Sequence, residues 1–426
     1  MPPISLAVAE TALSGLRTLL GETHLRPALP ADSVDGVVPE SIAEPGSASE
    51  LAAILKISCQ AGLSVIPRGS GSKIGWGNPP KAAHLILSTR RLNHVLEHAW
   101  GDMTATVEAG CVFADLQHTL AQHGQRLALD PLWPEQATIG GILAANDSGV
   151  LRTCFGSLRD LIIGISLALP DGTLAKSGGK VVKNVAGYDL AKLATGSLGT
   201  LGVITQAIFR LHPIPAHVRS VTITTQDSRT MLAAVLAILD AQLAPSAIQI
   251  RAGSSCPPVV DVLFEGTSAG CDAQAQQVAR VVSPCSAKEA DSSVWTARDQ
   301  LFEESPNTAV CKVSLLPAEF GLFSDYLARH SQALQFSWTL VAQTVGVGLL
   351  RLEASSIVGL RQAILDLRSK IESSAGALVI LDCPRELKCG IDVWGSPGDA
   401  LPLMKSIKAQ FDPAGMLNPG RFVGSI

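Results

Sequence analysis

The chain has 426 residues, with 33 Lys and Arg against 37 Asp and Glu for a formal net charge of −4, and charged residues make up only 16%. No long basic run occurs and aromatics are 4%, which argues against nucleic-acid binding, since phosphate neutralisation needs clustered cations and base stacking needs aromatic platforms. The length exceeds one ordinary core, so two or three domains are expected.

The nine cysteines are scattered without a C-x-x-C pair, which argues against a zinc or iron–sulfur site in this chain. The start, MPPISLAVAETALSG, lacks a basic leader and carries Glu10. Apolar runs fall short of the roughly 18 residues needed to span a bilayer. Free thiols without an export signal point to the cytoplasm, with attachment to the inner face of the membrane through partners left open.

In chain order, LAVAETALSGLRTLLG has amphipathic helical spacing closed by Gly21; a docking arm and a plain surface helix both fit it. The Pro/Ser/Asp-rich stretch 27–46 reads as loop with a short strand. SASELAAILKISCQAGL then predicts a helix capped by Ser47 or Ser49, with Glu50 in its first turn and Gly62 at its end. SVIP (Ser64–Pro67) is a short buried strand running into RGSGSKIGWGN. Strand followed by glycine loop is how a backbone builds an anion-binding nest, although the spacing is neither G-x-G-x-x-G nor a P-loop.

LILS and ATVEAG read as strands, and CVFADLQHTLAQHG as a helix ending at Gly124. His118 and His123 lie five apart, which puts them on different faces and makes solvent-facing residues of them rather than metal ligands. Asp171-Gly172 predicts a hairpin turn. Gly140-Gly141 opens a short helical piece, GGILAAN, whose terminal N–H groups would suit phosphate; Asn146, Ser148 and Gly149 follow as small polar residues in a tight turn. From Ser177 to Thr205 glycines recur among aliphatic residues. Such density needs positive φ or close approach to something, and a dinucleotide is expected. VITQAIFRL is a strand, and Pro213 and Pro215 mark a domain boundary.

From about residue 217 the texture changes. VRSVTITT, AIQIRA, VVDVLFEG, TLVAQTVGVGLLRLEA, GALVILDC and KCGIDVW read as strands. SRTMLAAVLAILDAQLAP, SAGCDAQAQQVARVV, EFGLFSDYLARHSQAL and SSIVGLRQAILDLRSKIESSAG read as helices. Their alternation predicts an α+β domain on an antiparallel sheet.

Taken in order, PESIAEPGSASELAAIL, VIPRGSGSK, ATIGGILAANDSG, FGSLRDLIIG, KNVAGYDLAKLATGSLGTLGVIT and DVWGSPGDALPLMKSIKAQFDPAGMLNPGRFVG make the chain resemble flavoproteins of the vanillyl-alcohol-oxidase/PCMH type. Within that family it is most similar to the FAD-binding subunits of bacterial glycolate oxidase (glycolate dehydrogenase), of the E-subunit kind. The resemblance covers residues 36–215 and 388–426 well and the middle more loosely. It implies an α+β fold: a PCMH-type FAD-binding domain of two α/β subdomains (36–215), an α+β cap domain with an antiparallel sheet (216–395), and a C-terminal helix and tail (396–426) returning to the FAD domain. Residues 1–35 form an N-terminal extension expected to be helical.

Carried over by position, the resemblance implies three flavin-binding segments. The first is Pro67, Arg68, Gly69, Ser70, Gly71, Ser72 and Lys73. The second is Pro134, Thr138, Gly140, Gly141, Asn146, Ser148 and Gly149. The third is Lys183, Asn184, Gly187, Tyr188, Gly196, Gly199, Thr200, Gly202, Val203 and Ile204, with the backbone at Val203 beside the adenine or ribose. Many relatives tether the flavin through a histidine in the first loop; Ser72 and Lys73 stand there instead, so non-covalent FAD is expected. In the tail, Asn418 and Arg421 are candidates to approach the flavin ring or an anionic substrate, or to act as a structural clasp.

Related 2-hydroxy-acid dehydrogenases hold a metal through a pattern like H-x-G-D-G-N-L-H, where it favours the substrate alkoxide. The corresponding stretch here is TVGVGLLR, with Thr344 and Arg351 in place of the histidines and Val347 in place of the Asp. After His217 the chain has one histidine, His330, so a two-histidine site there is excluded. The resemblance therefore implies a flavin-bearing subunit of a glycolate oxidase complex, beside a second flavin subunit and an iron–sulfur subunit. Two alternatives stay open: a stand-alone FAD-linked oxidoreductase with Arg351 or Arg421 gripping a carboxylate, and a scaffold subunit without flavin.

Overall fold

The computed structural model describes residues 6–181 and 187–426. The chain forms two compact units: residues 1–148, 157–214 and 396–426 make the first, and 149–156 with 215–395 the second. Helix α1 (Leu6–Leu20) precedes β1 (Leu25–Pro27), β2 (Ser41–Ala43), α2 (Ala48–Gln60), β3 (Val65–Arg68) and β4 (Leu85–Ser88). β2, β3 and β4 are parallel with β4 in the middle, and β1 runs antiparallel on the β2 edge.

The pleat sorts side chains with a period of two. Val65, Leu85 and Leu87 enter one core, and Ile66 and Ile86 enter another on the opposite face. Both faces are buried, which is why these strands read as continuous apolar runs. α2 covers the first face with Leu51, Ile54, Leu55 and Ser58 at helical spacing. Its start is fixed twice: Glu50 N–H donates to the N-cap Ser47 Oγ (3.1 Å), and Gly46 N–H, one residue before the cap, donates to Glu50 Oε2 (2.8 Å).

The second sheet of this unit comes from β5 (Val95–Ala99), β6 (Thr104–Glu108) and, beyond the two-residue β7 (Gln125–Arg126), β8 (Ile162–Ala168), β9 (Leu174–Gly178) and β10 (Val203–Arg210). It is antiparallel in the order β5-β6-β10-β8-β9, while β7 pairs with β11 (His212–Pro213). Between β6 and β8 lie α3 (Phe113–Ala121), α4 (Ile139–Ala145) and two single-turn helices, Arg152–Phe155 and Leu158–Leu161. The tail returns as an added parallel rung: Val65 N–H donates to Met416 O (2.8 Å) and Asn418 N–H to Val65 O (2.9 Å).

The second unit contains β12 (His217–Thr224), β13 (Ala247–Gly253), β14 (Cys256–Gly266), β15 (Ser286–Glu289), β16 (Thr308–Ser314), β17 (Phe336–Gln343), β18 (Val347–Ala354) and β19 (Ala377–Asp382). They form one antiparallel sheet in the order β15-β12-β14-β13-β17-β18-β16-β19. One face packs Ile223, Ile250, Val262, Leu340 and Leu352 against Ile238, Val278, Leu327 and Ile364 of four helices.

Three expectations change here. TLVAQTVGVGLLRLEA is not one strand: it turns at Gly346 (φ +91°), where a side chain would meet Leu315 O at 2.5 Å, and folds back as β17 and β18. KCGIDVW is not a strand. Arg368 donates to the carbonyls of Asp392 (2.8 Å) and Val393 (3.1 Å), and Val393 O also accepts from Ile380 N–H of β19 (2.8 Å), so these carbonyls are satisfied without a strand ladder. TAVCKVS, unassigned from the sequence, is β16, paired on both sides. Among the described residues no helix is long and apolar enough to cross a membrane.

Candidate functional site: a cleft in the first unit

A cleft of about 710 Å³, counted out to bulk solvent, opens at the carboxyl ends of β3 and β4, where α4 and the start of β10 also meet. That is where open parallel sheets characteristically receive ligands. Its first wall is the loop Pro67–Ile74, its second is Thr138, Gly140, Gly141, Ala144 and Ala145, and its third is Leu198, Gly199 and Gly202–Ile204. Thr89, Asn418 and Arg421 complete the lining.

The first loop has the amides of a nest. The N–H groups of Gly69, Ser70, Gly71 and Ser72 donate to no acceptor among the described residues. Buried or half-buried amides rarely go unsatisfied, so a run of four asks for an external acceptor such as a phosphate oxygen. Thr138 makes the same demand from across the cleft: it is 2% exposed, and its hydroxyl has no partner.

Charge is arranged around the loop. Arg68 is not loose: its guanidinium donates to Asp32 (3.1 Å), which also takes Arg26 (2.9 Å). The Arg26 hydrogen bond, the Leu29 N–H and Arg68 together hold the Asp32 carboxyl well below the usual carboxylate range. Lys73 is 8% exposed, with its ammonium 3.1 Å from an Asp147 oxygen, 3.1 Å from Leu132 O and 5.2 Å from the Trp133 ring centre. Asp147 also accepts from Leu132 N–H (2.8 Å). The pair thus pins the first loop to the bend at 132–133, where Trp133 has φ +53°.

Several glycines permit approach of this chain to itself. A Cβ on Gly140 would lie 3.0 Å from Ala109 O, one on Gly77 2.7 Å from Arg421 O, and one on Gly199 3.3 Å from Asn418 Nδ2. The α4 N-terminus differs from the expectation of free amides. Ile139 N–H donates to Cys111 O (2.9 Å) and Gly140 N–H to Ala109 O (2.7 Å), which fastens the helix to the end of β6.

Other expected residues lie off the lining. Pro134 O accepts from Ala114 N–H (3.1 Å) at the start of α3, and Asn146 (φ +51°) ends α4 in a left-handed turn. Gly196 (φ +86°) packs against Asn146, Thr200 is buried with its hydroxyl on Ser197 O (2.7 Å), and Ser148 and Gly149 stand where the chain leaves the first unit. Gly187 and Tyr188 line a separate hollow with Ser177 and Asp189, and Tyr188 is 91% exposed. Lys183 and Asn184 lie outside the described residues. In the second unit, Arg351 donates to the carbonyls of Leu301 (2.7 Å) and Glu303 (2.6 Å).

Ile74, Thr89, Ala144, Ala145 and Leu198 line the cleft without having been singled out. Ala144 and Ala145 were reachable, being three and four residues past Gly141 on one helix face. Thr89 follows the end of β4, next to Arg68, whose carbonyl its N–H reaches (2.9 Å).

Residues 39–178 match the FAD binding domain family, and residues 396–422 match the C-terminal domain of FAD linked oxidases. In these two segments the chain is similar to FAD-linked oxidases. Its cofactor is FAD, and the acceptor-less amides and the Thr138 hydroxyl fit a diphosphate-bearing group.

Among curated relatives, glycolate oxidase subunit GlcD of Bacillus subtilis is 32% identical over 50% of this chain and 45% of its own. Mitochondrial D-2-hydroxyglutarate dehydrogenase of Bos taurus is 28% identical over 88% of this chain and 75% of its own. The chain spans about half the length of several curated relatives it matches, the Bacillus protein among them. The fold is shared with p-cresol methylhydroxylase (TM-score 0.77, 14% identity, 98% of this chain and 97% of that one). It is shared also with alkyldihydroxyacetonephosphate synthase (TM-score 0.75, 19% identity, 97% and 86%).

Proposed function

We propose that FAD lies in this cleft without a covalent bond, and that the chain is a flavin-bearing subunit of a 2-hydroxy-acid dehydrogenase complex of the glycolate oxidase kind. In that complex glycolate would be oxidised to glyoxylate, with electrons passing to an acceptor other than a soluble nicotinamide. The strongest support is the run of amides Gly69–Ser72 with no acceptor in the described chain, faced by the partnerless Thr138 hydroxyl.

When bound, FAD supplies a two-electron acceptor for the C–H bond of a hydroxy acid. In this chain the first loop would take the diphosphate charge on its amides, and Thr138 would give or receive one further hydrogen bond. Gly202, Val203 and Ile204 would offer main chain to the nucleotide. Ser72 and Lys73 provide no histidine tether, and Lys73 is engaged with Asp147.

The second unit offers two histidines, His217 at the start of β12 and His330, whose Nδ1 lies 3.0 Å from Tyr326 O, while Thr344 and Arg351 stand where the metal pattern has its own; that favours a partner subunit as the place where substrate is held. A second flavin subunit and an iron–sulfur subunit would be those partners. The reading as a self-sufficient enzyme is disfavoured because the Arg351 and Arg421 guanidiniums both already donate to main-chain carbonyls.

The full chain is to be purified alone and with its partner subunits. Expected are a flavin spectrum, flavin that stays in solution after acid precipitation, and hydroxy-acid-dependent dye reduction only with partners present. Yellow colour retained on the precipitate would overturn the non-covalent assignment. Full activity from the chain alone would overturn the subunit assignment.

A further inference from the structure

The C-terminal tail ties two walls of the cleft together. Toward the first loop, the Leu417 rung lies along β3, Lys81 N–H donates to Pro419 O (2.9 Å) and Asn78 N–H to Arg421 O (3.0 Å). Arg421 is 2% exposed, and its guanidinium donates to the carbonyls of Ile74 and Trp76 (2.7 Å for Trp76) and to Asn418 Oδ1 (3.3 Å). Toward the third wall, Asn418 Nδ2 donates to Leu198 O (2.6 Å), beside Gly199. Lys408 reaches Thr200 O (2.8 Å), Leu417 O (3.0 Å) and Asp412 (2.6 Å).

Asn418 is thus the hinge pin. One end of its amide holds the Leu198–Gly199 turn, and the other receives Arg421 Nη1, while Arg421 Nη2 holds the 74–76 main chain. Three main-chain carbonyls from two walls are fixed by two side chains of one short tail. A guanidinium this deeply buried is expensive to desolvate unless its donors are satisfied. Gly77 and Gly199 have given up side chains where the tail comes closest.

We infer that residues 412–421 act as a latch on the cofactor, with Arg421 and Asn418 as positioning residues that hold the first loop and the Leu198–Gly199 turn at the spacing a bound flavin nucleotide requires. Release of the cofactor then requires the tail to let go first. Arg421 acts through main chain rather than by gripping a substrate carboxylate. The inference rests on the placement of FAD in this cleft proposed above.

The test uses the full-length chain and FAD itself. Release is followed as the return of free-flavin fluorescence after dilution, for wild type, Arg421→Met, Arg421→Lys and Asn418→Ala. Thermal unfolding is recorded for each with and without FAD. The latch predicts release at least about tenfold faster for Arg421→Met and Asn418→Ala, and an intermediate rate for Arg421→Lys, which restores a donor. It also predicts that the stabilisation added by FAD shrinks more than the apo-protein melting temperature. If Arg421→Met does not fold, Asn418→Ala alone carries the comparison.

Equal release rates in wild type and a folded Asn418→Ala chain would overturn the latch and leave the cleft placement standing. A chain that binds FAD equally well with Gly69→Ala would overturn the cleft placement, and the latch with it.

Discussion

Gly69 and Thr138 face each other so closely that a methyl group on Gly69 would come within 2.0 Å of the Thr138 hydroxyl oxygen and 3.1 Å of its Cβ. The first and second walls of the cleft therefore meet at a glycine and a hydroxyl. Gly69→Ala should force these walls apart, at about 1–3 kcal/mol for an overpacked contact, and abolish flavin retention. The check is the ratio of flavin to protein absorbance after gel filtration. A fully loaded Gly69→Ala chain would overturn the placement of FAD in this cleft.

Thr138→Val keeps the shape and removes the partnerless hydroxyl. No described residue bonds that oxygen, so apo-protein stability should be unchanged or slightly higher. FAD affinity should fall by about fivefold, the value of one hydrogen bond near 1 kcal/mol. Titration by flavin fluorescence quenching gives the affinity, and an unaltered dissociation constant would refute a role for the hydroxyl.

Lys73→Met would leave the Asp147 carboxylate buried without its ammonium. Breaking such a pair costs about 3–5 kcal/mol, and Asp147→Asn on top should recover part of the loss. Chemical denaturation of the three variants measures both. A loss below about 1 kcal/mol for Lys73→Met would mean the pair is solvated in solution.

Asp32 predicts a pH dependence with a definite sign. Arg26 first, then the Leu29 N–H and Arg68, lower its folded pKa. A depressed carboxyl contributes stability above its unfolded pKa of about 3.9, and loses it as pH falls from there toward the folded value. Asp32→Asn should therefore cost about 2 kcal/mol near neutrality, with the gap to wild type narrowing below about pH 4. A gap that stays constant with pH would exclude this linkage.

The α+β class and the positions of most elements were legible because they rest on local signals. The parallel strands SVIP and LILS announce themselves by unbroken apolar runs, and α2 by Ser47 with Glu50. Residues of all three glycine-rich segments do line one cleft. What stayed hidden depends on pairings distant in sequence. Lys73 reads from the sequence as a member of the first flavin-binding segment, and only the fold brings Asp147 to pair with it. β16 is short and carries Cys and Lys, so its place between two partners supplies what periodicity does not. KCGIDVW has strand-like spacing, yet Arg368 from a helix claims its carbonyls.

The short excursion Gly149–Gly156 has a practical consequence for dissecting the molecule. Val150 and Leu151 pack with Ala247, Leu263 and Trp295 of the second unit, although 148 and 157 belong to the first. The backbone consequently passes from one unit to the other at four places, and no single cut yields two self-contained pieces. A fragment ending at residue 214 would carry a bare greasy strip at 150–151 and lack residues 396–426. It should express as aggregate, and the flavin unit is better isolated by circular permutation, joining 396–426 ahead of the N-terminus and replacing 149–156 with a polar turn.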